Sequence, residues 1–436
     1  MGGGSGVQWM YPIRPGTPGA RVTRLELFYD LVFVFAFLNV TTLGAADLDF
    51  GALAQSMLVL ALLWWCWSSF TNLGNAVRAD QGVIPLVGFA TMAAVIVMAL
   101  AVSEAYTDVP GGLFGPVVFV AAYAAVRGLQ VAVLWLVIRA GPCPRRRMVL
   151  LAAPVLASAA LLVLAAVVPQ RVASGGAETV VRLALWSVAV ALEYASGGLV
   201  QRAGWRLVSP GHWAERHALI VLIALGESII SLGLGPNLGG DLPITWPVLL
   251  GAVLGLAVVA AIWWSYFDSL VLRLEQALHR ARGAERGALA RDTYTYLHLP
   301  VIAGILVFAL GLKRFLADIS DPRSPELGGR LGGVDLATLY GGILLYLAAY
   351  LGLAARTFRQ LTARPVTALV LIVAAVPLAA RVPALAALGL LALITVAVTL
   401  SLLWHPPRFR EQARTEALTE QVALEADQQR WWRRRG

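Results

Sequence analysis

The chain has 436 residues, of which 59% are hydrophobic and 14% are charged, and its formal net charge is +9. A soluble domain is typically about 45–50% apolar and about 25% charged, so this composition excludes an ordinary soluble enzyme or binding domain. The apolar residues come in blocks of about twenty, separated by short charged or Gly/Pro-rich segments, which is typical of a polytopic helical membrane protein.

The sequence predicts an all-α protein, a polytopic transmembrane helical bundle of about twelve spans. A helix rises about 1.5 Å per residue, so about twenty residues cross a hydrocarbon core of about 30 Å. The predicted spans are 25–45, 51–73, 83–105, 113–138, 148–168, 179–201, 215–234, 246–269, 293–312, 335–355, 364–380 and 384–404. The eleventh is short and contains Pro377, so the last two segments could instead form one re-entrant pair.

Polar segments flank the predicted bundle of residues 25–404. Residues 1–24 have no apolar stretch, which predicts a flexible cytoplasmic tail and not a cleaved signal peptide. Residues 405–436 predict a basic cytoplasmic helix that ends in Trp431-Trp432 and three Arg residues. This helix could lie on the membrane surface, because Trp favours the headgroup region and Arg favours anionic lipid, or it could dock a cytosolic partner.

The distribution of Arg and Lys predicts the orientation of the spans. With a cytoplasmic N-terminus, 26 of the 34 basic residues fall in cytoplasmic segments, seven fall outside, and Arg127 lies within a span. This bias puts both termini in the cytoplasm and predicts a multi-pass protein of the cell (plasma) membrane. It also accounts for the net charge without nucleic acid, so the expected partners are the lipid bilayer and an unknown small molecule or ion.

A faint internal repeat relates the two halves of the sequence. "LLWWCWSSFTN" ends the second predicted span and "AIWWSYFDSL" ends the eighth, and an acid precedes each Trp pair by a similar distance: Asp30 before Trp64, and Glu227 before Trp263. Six spans per half would make a 6+6 parallel repeat. Trp also clusters near membrane interfaces for general reasons, so the pairs could simply be interface anchors.

Ionisable residues inside the predicted spans form the candidate site. A charge at the centre of a helix costs about 2.5–3.5 kcal/mol on insertion scales, against about 0.3–0.6 kcal/mol gained per Leu, Ile or Val. Such residues should therefore turn away from lipid and have partners. The candidates for an ion, proton or substrate site are Glu26, Asp30, Arg127, Glu193, Glu215, Arg216, His217, Glu227, Ser231 and Asp268.

The spacing of these residues leaves two interpretations open. Glu26 and Asp30 lie four residues apart on one helix face, so either one is protonated or a cation lies nearby. Glu227 lies about 15 Å deeper than His217, near the membrane midplane. Because Arg127 alone would balance several buried acids, we expect these acids to face one another or a cation. The charged groups either hold helices together or form a proton- or cation-linked site.

Motifs for soluble enzymes are absent from the sequence. HExxH, GxSxG and the Walker A pattern do not occur, and the longest predicted loops, near 270–292 and 313–334, are too short for a catalytic domain. His298, at the start of the ninth span, has no evident partner. We therefore expect no enzyme activity, catalytic residue, cofactor or metal centre, since a lipid-modifying enzyme would need a nucleophile or metal cluster that the sequence does not assemble.

Six stretches carry a resemblance to a known family: "RVTRLELFYDLVFVFAF", "WWCWSSFTNLGNAVRAD", "AAYAAVRGLQ", "ERHALIVLIALGESII", "IWWSYFD" and "HLPVIAGILVFALGLK". Together they resemble the low-temperature-requirement A family of bacterial membrane proteins over roughly residues 21–405. The resemblance implies a polytopic plasma-membrane protein linked to growth in the cold, and it implies no particular substrate. The family's marked positions would be Glu26, Asp30, Arg127, Glu215, Arg216, His217, Glu227 and Asp268.

Two hypotheses about function follow. In the first, the protein is a proton- or cation-linked secondary transporter or ion pathway, in which protonation of Glu227 or Glu193 biases a conformational equilibrium. In the second, it is a membrane sensor or scaffold that signals through the Arg-rich C-terminal tail. Deletion of the residues after Arg408 separates the two, because transport should survive it and signalling should not.

Overall fold

The computed structural model describes residues 21–43, 45, 48–138, 144–202, 207–234, 245–359, 363–401, 415 and 419. Within these residues the regular structure is helical, and an isolated bridge pairs Arg330 with Pro383. The helices α1 to α15 are Arg24–Thr42, Phe50–Ala76, Ile84–Leu100, Gly115–Ile138, Pro144–Val167, Pro169–Val172, Gly176–Arg202, Pro210–Leu234, Trp246–Ser265, Val271–Arg280, Gly283–Leu289, His298–Ser320, Gly333–Phe358, Ala363–Ala379 and Ala384–Leu400. The predicted all-α class is confirmed.

Ten helical stretches in the described part of the chain are long and apolar enough to cross a membrane. They correspond to the first ten predicted spans. The helices α14 and α15 are apolar but shorter, with 17 residues each. Full crossing of the membrane by these two helices, and therefore a total of twelve spans, stays a prediction. The cytoplasmic location of both termini also stays a prediction.

Two of the ten stretches are much longer than the predicted spans. Trp246–Arg280 has 35 residues and Gly283–Ser320 has 38 residues. At about 1.5 Å per residue both exceed a hydrocarbon core of about 30 Å. The prediction of a loop at 270–292 was wrong, because hydropathy marks where a helix leaves the apolar layer and not where its backbone hydrogen bonding stops. Two π-helical turns, Tyr266–Leu270 and Ala290–Tyr296, interrupt these long stretches.

Backbone contacts divide the chain into two compact units. The first unit contains the described residues up to Ala36 together with Ala61–Trp213. The second unit contains Phe37–Leu60 and the described residues from Ala214 onward. The helices α1, α2 and α8 therefore each contribute to both units. The predicted 6+6 repeat stays a prediction.

Aromatic residues form much of the core of the first unit. Tyr29 stacks on Phe70 with ring centroids 3.6 Å apart, and Trp64 stacks on Trp67 at 4.9 Å. Trp64 and Trp65 are buried. The interpretation of this Trp pair as an interface anchor was therefore wrong, because both indoles pack inside the unit.

The helix α12 lies at the centre of the second unit. Its residues are buried on nearly every side, which is expected for a helix that is apolar all round. Its backbone approaches that of α13 closely at Gly304 and Gly342: a Cβ at Gly304 would lie 2.6 Å from the backbone nitrogen of Tyr346. Glycine at such a crossing allows close helix packing.

The predicted tails lie almost wholly outside the described residues. Residues 1–20 of the predicted N-terminal tail are not among them, and the predicted C-terminal helix of residues 405–436 is described only at Thr415 and Thr419. Both segments stay predictions.

Candidate functional site

In the first unit, Arg127 on α4 and Glu193 on α7 form a buried ion pair. Arg127 Nη2 lies 2.9 Å from Glu193 Oε2, and Arg127 Nε donates to Glu193 Oε1 at 3.2 Å. The Tyr123 hydroxyl also donates to Glu193 Oε1. Arg127 Nη1 donates to Ser69 Oγ at 2.6 Å and to Gln130 Oε1 at 2.7 Å. Every guanidinium nitrogen and both carboxylate oxygens therefore have a partner.

This complete set of partners favours a structural role for the Arg127–Glu193 pair. A buried ion pair offsets the loss of hydration only when its remaining donors and acceptors are also hydrogen-bonded. Gln130 extends the network by donating from Nε2 to the Cys66 carbonyl at 2.8 Å. The network thus ties α4 to α7 and to α2 inside the first unit.

Glu26 lies in the first turn of α1 and closes a capping box with Thr23. The backbone nitrogen and the hydroxyl of Thr23 both donate to Glu26 Oε2 at 2.9 Å, and the Glu26 nitrogen donates to Thr23 Oγ1 at 3.3 Å. The other oxygen, Oε1, lies 2.9 Å from His212 Nε2. His212 is therefore a buried partner of Glu26, and it was not among the residues predicted from the sequence.

Asp30 lies on the same helix face as Glu26 and is also hydrogen-bonded within the first unit. Its Oδ1 accepts a hydrogen bond from Trp67 Nε1 at 2.8 Å, and the carboxylate is buried. Trp67 on α2 therefore helps to hold Asp30 within the first unit.

In the second unit, Glu227 on α8 is the centre of a buried polar group of side chains. We call this group the Glu227 cluster; it consists of Thr41, Thr42, Glu227, Ser231 and Lys313. Oε1 of Glu227 accepts from Thr41 at 2.5 Å and from Ser231 at 3.1 Å, and it lies 3.6 Å from Lys313 Nζ. Oε2 is buried and has no hydrogen-bond partner among the described residues. Such an oxygen costs free energy unless a proton, a cation or a ligand atom satisfies it.

Lys313 was missed as a site residue because the ninth span was predicted to end at residue 312. The helix α12 continues to Ser320, and the Lys313 side chain is 1% exposed. Its ammonium group donates to Thr41 Oγ1 at 3.1 Å and to Thr42 Oγ1 at 3.2 Å. A signal was present, since this is the only lysine of the chain and it directly follows a long apolar run of sequence.

A second buried cluster of the second unit surrounds His298. Its Nδ1 lies 2.8 Å from the Thr293 carbonyl, so Nδ1 carries the proton and Nε2 accepts from the Tyr266 hydroxyl at 2.7 Å. Tyr294 stacks on His298 with ring centroids 5.1 Å apart, and His217 meets it edge-on at 5.3 Å. The expectation that His298 has no partner was wrong. Tyr266 and Tyr294 lie on the π-helical turns, an irregularity that is frequent at functional sites.

The three remaining candidates differ in exposure. Glu215 is exposed, Arg216 is fully buried, and Asp268 is half-buried on the π-helical turn Tyr266–Leu270. Arg216 and Lys313 are buried basic residues in addition to Arg127. The sequence-based expectation that Arg127 alone would balance the buried acids was therefore wrong. Within the described ranges, no three His, Cys, Asp or Glu side chains converge in a way that could hold a metal ion.

Comparisons with known proteins agree with this membrane architecture. The family described as bacterial low temperature requirement A protein (LtrA) matches residues 21–400. An uncharacterized protein of Rhizobium meliloti (strain 1021), RA0937, is 29% identical over 333 residues, which cover 74% of this chain and 74% of that protein. The family match includes α1 to α15, and thus every candidate residue from Glu26 to Asp268. The chain is therefore an integral, multi-pass membrane protein that belongs to the bacterial low temperature requirement A family.

Proposed function

We propose that the protein is a proton- or cation-linked secondary transporter or ion pathway, in which the carboxylate of Glu227 is the exchangeable group. The unpartnered oxygen Oε2 carries this proposal. A proton or cation bound there changes the charge of the Glu227 cluster by one. That change biases an equilibrium between two conformations if the two conformations bind the ion with different affinities.

The contrast with Glu193 supports this choice. Both acids are fully buried and lie in helices long enough to span a membrane. Both oxygens of Glu193 are occupied by Arg127 and Tyr123, whereas all the described contacts of Glu227 are made through Oε1. Binding at Glu193 would require an existing ion pair to break, while binding at Glu227 would satisfy an atom that lacks a partner.

The proposal places the protein in the bacterial inner membrane, with a role in growth at low temperature that the family's description suggests. In this view ion exchange at Glu227 is the activity that cold growth requires. A strain that lacks its own member of the family should regain growth in the cold with the wild-type chain and not with Glu227→Gln. Equal rescue by both chains would separate the cold phenotype from Glu227.

Glu227→Gln should reduce ion flux to the level of protein-free liposomes. The amide keeps the shape and one acceptor oxygen but cannot carry the negative charge that a proton or cation neutralises. The measurement is proton flux, reported by an internal pH dye, in proteoliposomes with an imposed K⁺, Na⁺ or pH gradient. Glu227→Asp, which keeps the charge, should retain part of the flux.

Glu275→Gln is the matched control for this experiment. Glu275 lies on α10 in the same unit, is 38% exposed, and pairs with His279 at 3.7 Å. Its neutralisation should leave flux unchanged. If wild type and Glu227→Gln carry equal flux while both remain monodisperse, the carboxylate mechanism is wrong.

Truncation after Arg408 tests the alternative of a sensor or scaffold. The transporter proposal predicts unchanged flux, because all five residues of the Glu227 cluster precede the tail, the last of them being Lys313. The same truncation should weaken binding to liposomes that contain anionic lipid if the predicted tail helix lies on the membrane surface. Loss of flux on truncation, with the protein still folded, would favour a tail-dependent activity.

A further inference from the structure

The ammonium group of Lys313 is surrounded by oxygen atoms. Thr41 Oγ1 lies at 3.1 Å, Thr42 Oγ1 at 3.2 Å and Glu227 Oε1 at 3.6 Å from Nζ. The lysine side chain is 1% exposed and the Glu227 side chain 0%, so water has little access to the group. A buried primary ammonium is thus held by two hydroxyls and one carboxylate.

The hydroxyl groups are oriented as acceptors toward this ammonium. The Thr42 hydroxyl donates its proton to the Leu38 carbonyl at 2.6 Å. The Thr41 hydroxyl lies 2.5 Å from Glu227 Oε1 and 3.0 Å from the Leu38 carbonyl, so its proton is directed to one of these oxygens. Because each hydroxyl has a single proton, only lone pairs remain to face Lys313 Nζ. These lone pairs would serve any cation of similar size equally well.

The donor set fits a monovalent cation and not a divalent one. Hydroxyl and carboxylate oxygens are hard ligands, and a single carboxylate neutralises a single positive charge. Oε2 of Glu227, which has no hydrogen-bond partner among the described residues, is a further ligand atom at the same carboxylate. The nearby cation on α12, Arg314, is engaged elsewhere, since its Nε lies 2.9 Å from Asp335 Oδ1 and its Nη1 donates to the Ala45 carbonyl.

We propose that Lys313 is a tethered occupant of a monovalent-cation site formed by Thr41, Thr42 and Glu227, and that a free cation of the ammonium class takes its place when the lysine side chain moves away. This inference rests on the proposed function and names its substrate class as small monovalent cations. While the lysine side chain is displaced, the entering cation is the counter-ion of the Glu227 carboxylate, so this buried acid is not left unpaired.

Lys313→Ala should create a protein whose stability depends on added monovalent cation. The truncation leaves the carboxylate of Glu227 buried without its cation, which lowers the unfolding midpoint. Ammonium chloride should then raise that midpoint by several degrees in a saturable manner, because a ligand that binds only the folded state stabilises it by mass action. KCl and NaCl should act in the same way at higher concentration, and choline chloride of equal ionic strength should not. The wild type should show no saturable shift.

Two further variants make the test specific. Arg314→Ala, one position along the same helix, should show no response to ammonium beyond that of the wild type. The double variant Lys313→Ala/Glu227→Gln removes both charges, so it should be more stable than Lys313→Ala without salt and should not respond to ammonium. If Lys313→Ala folds only in the presence of salt, the yield of folded protein in ammonium chloride against choline chloride is the readout.

The inference is overturned if Lys313→Ala shows the same midpoint, or the same yield, in ammonium and choline salts. It is also overturned if the double variant keeps the ammonium response, because the carboxylate would then not be a ligand. These outcomes concern binding at equilibrium and are independent of flux. Failure of the proposed function would appear instead as equal flux in wild type and Glu227→Gln.

Discussion

Replacing Glu193 with Gln should lower the free energy of unfolding of the protein by about 3–5 kcal/mol, the cost of removing one partner from a buried ion pair. Arg127 would remain buried with its charge uncompensated, and the Tyr123 hydroxyl would donate to a neutral amide in place of a carboxylate. The measurement is equilibrium unfolding in mixed micelles of a mild detergent and sodium dodecyl sulfate, followed by Trp fluorescence.

A matched control lies on the same helix. Glu178 on α7 pairs with Arg182 one turn later, at 2.5 Å, but both side chains are partly exposed. Exposed pairs of this spacing contribute about 0.3–0.5 kcal/mol, so Glu178→Gln should change stability by no more than that. A loss below about 1 kcal/mol for Glu193→Gln would contradict the structural role of the buried pair.

The double variant Arg127→Met/Glu193→Met removes both charges of the ion pair at once, whereas Glu193→Gln leaves one buried charge without its partner. Apolar replacement of both partners of a buried ion pair is often neutral, because no unpaired charge is left behind. We expect the double variant to be more stable than Glu193→Gln, although the acceptor groups of Ser69 and Gln130 lose the Arg127 donor. Stability equal to or below that of the single variant would show that those secondary contacts matter more than the charge.

Replacing Gly304 with Ala should destabilise the second unit by at least about 1–3 kcal/mol, the usual cost of overpacking. The new Cβ would lie 2.6 Å from the Tyr346 backbone nitrogen and 2.7 Å from the Gly342 carbonyl oxygen. Backbone atoms cannot rotate out of the way as side chains can, so α12 and α13 must separate. The reciprocal change, Gly342→Ala, meets the Phe308 nitrogen at 2.6 Å and should have a similar effect. Both are measured by the same unfolding assay.

Gly341→Ala provides the control with the opposite sign. Gly341 precedes Gly342 on α13, but a Cβ built there meets no atom within 4 Å. Alanine is favoured over glycine in a helix by about 1 kcal/mol, so this variant should be as stable as wild type or more stable. If Gly304→Ala and Gly341→Ala behaved alike, the α12–α13 contact would not be as close as described.

The intramembrane acids could be recognised from sequence because each interrupts an apolar run of helical length. Their partners could not be recognised in the same way. Arg127 and Glu193 are 66 residues apart, and Thr41 and Glu227 are 186 residues apart. Nothing local distinguishes an acid that is fully paired from one that keeps an unpartnered oxygen. Glu193 and Glu227 therefore received the same two interpretations until their contacts were known.

Lys313 illustrates a different limit. The predicted ninth span ended where hydropathy falls, and Lys313 was assigned to a loop. The helix α12 continues to Ser320 with Lys313 buried in the second unit. Packing makes this possible, because the hydroxyls of Thr41 and Thr42 accept hydrogen bonds from the ammonium group. The ninth span was predicted to begin at residue 293, five residues before α12, whereas the structure has the π-helical turn Ala290–Tyr296 at that position.

The sequence by itself determined that this is a helical membrane protein, that it resembles the low temperature requirement A family, and that acids lie within its spans. The membrane class and the buried acids follow from composition and from apolar runs of about twenty residues, and the resemblance follows from six short motifs; all of these are local features of the chain. Only the tertiary structure decided which cation or hydroxyl each acid meets, and that Lys313 belongs with Glu227. The physical reason is that a buried charge is stabilised by whichever donors packing brings within a few ångströms, and these donors come from distant parts of the chain.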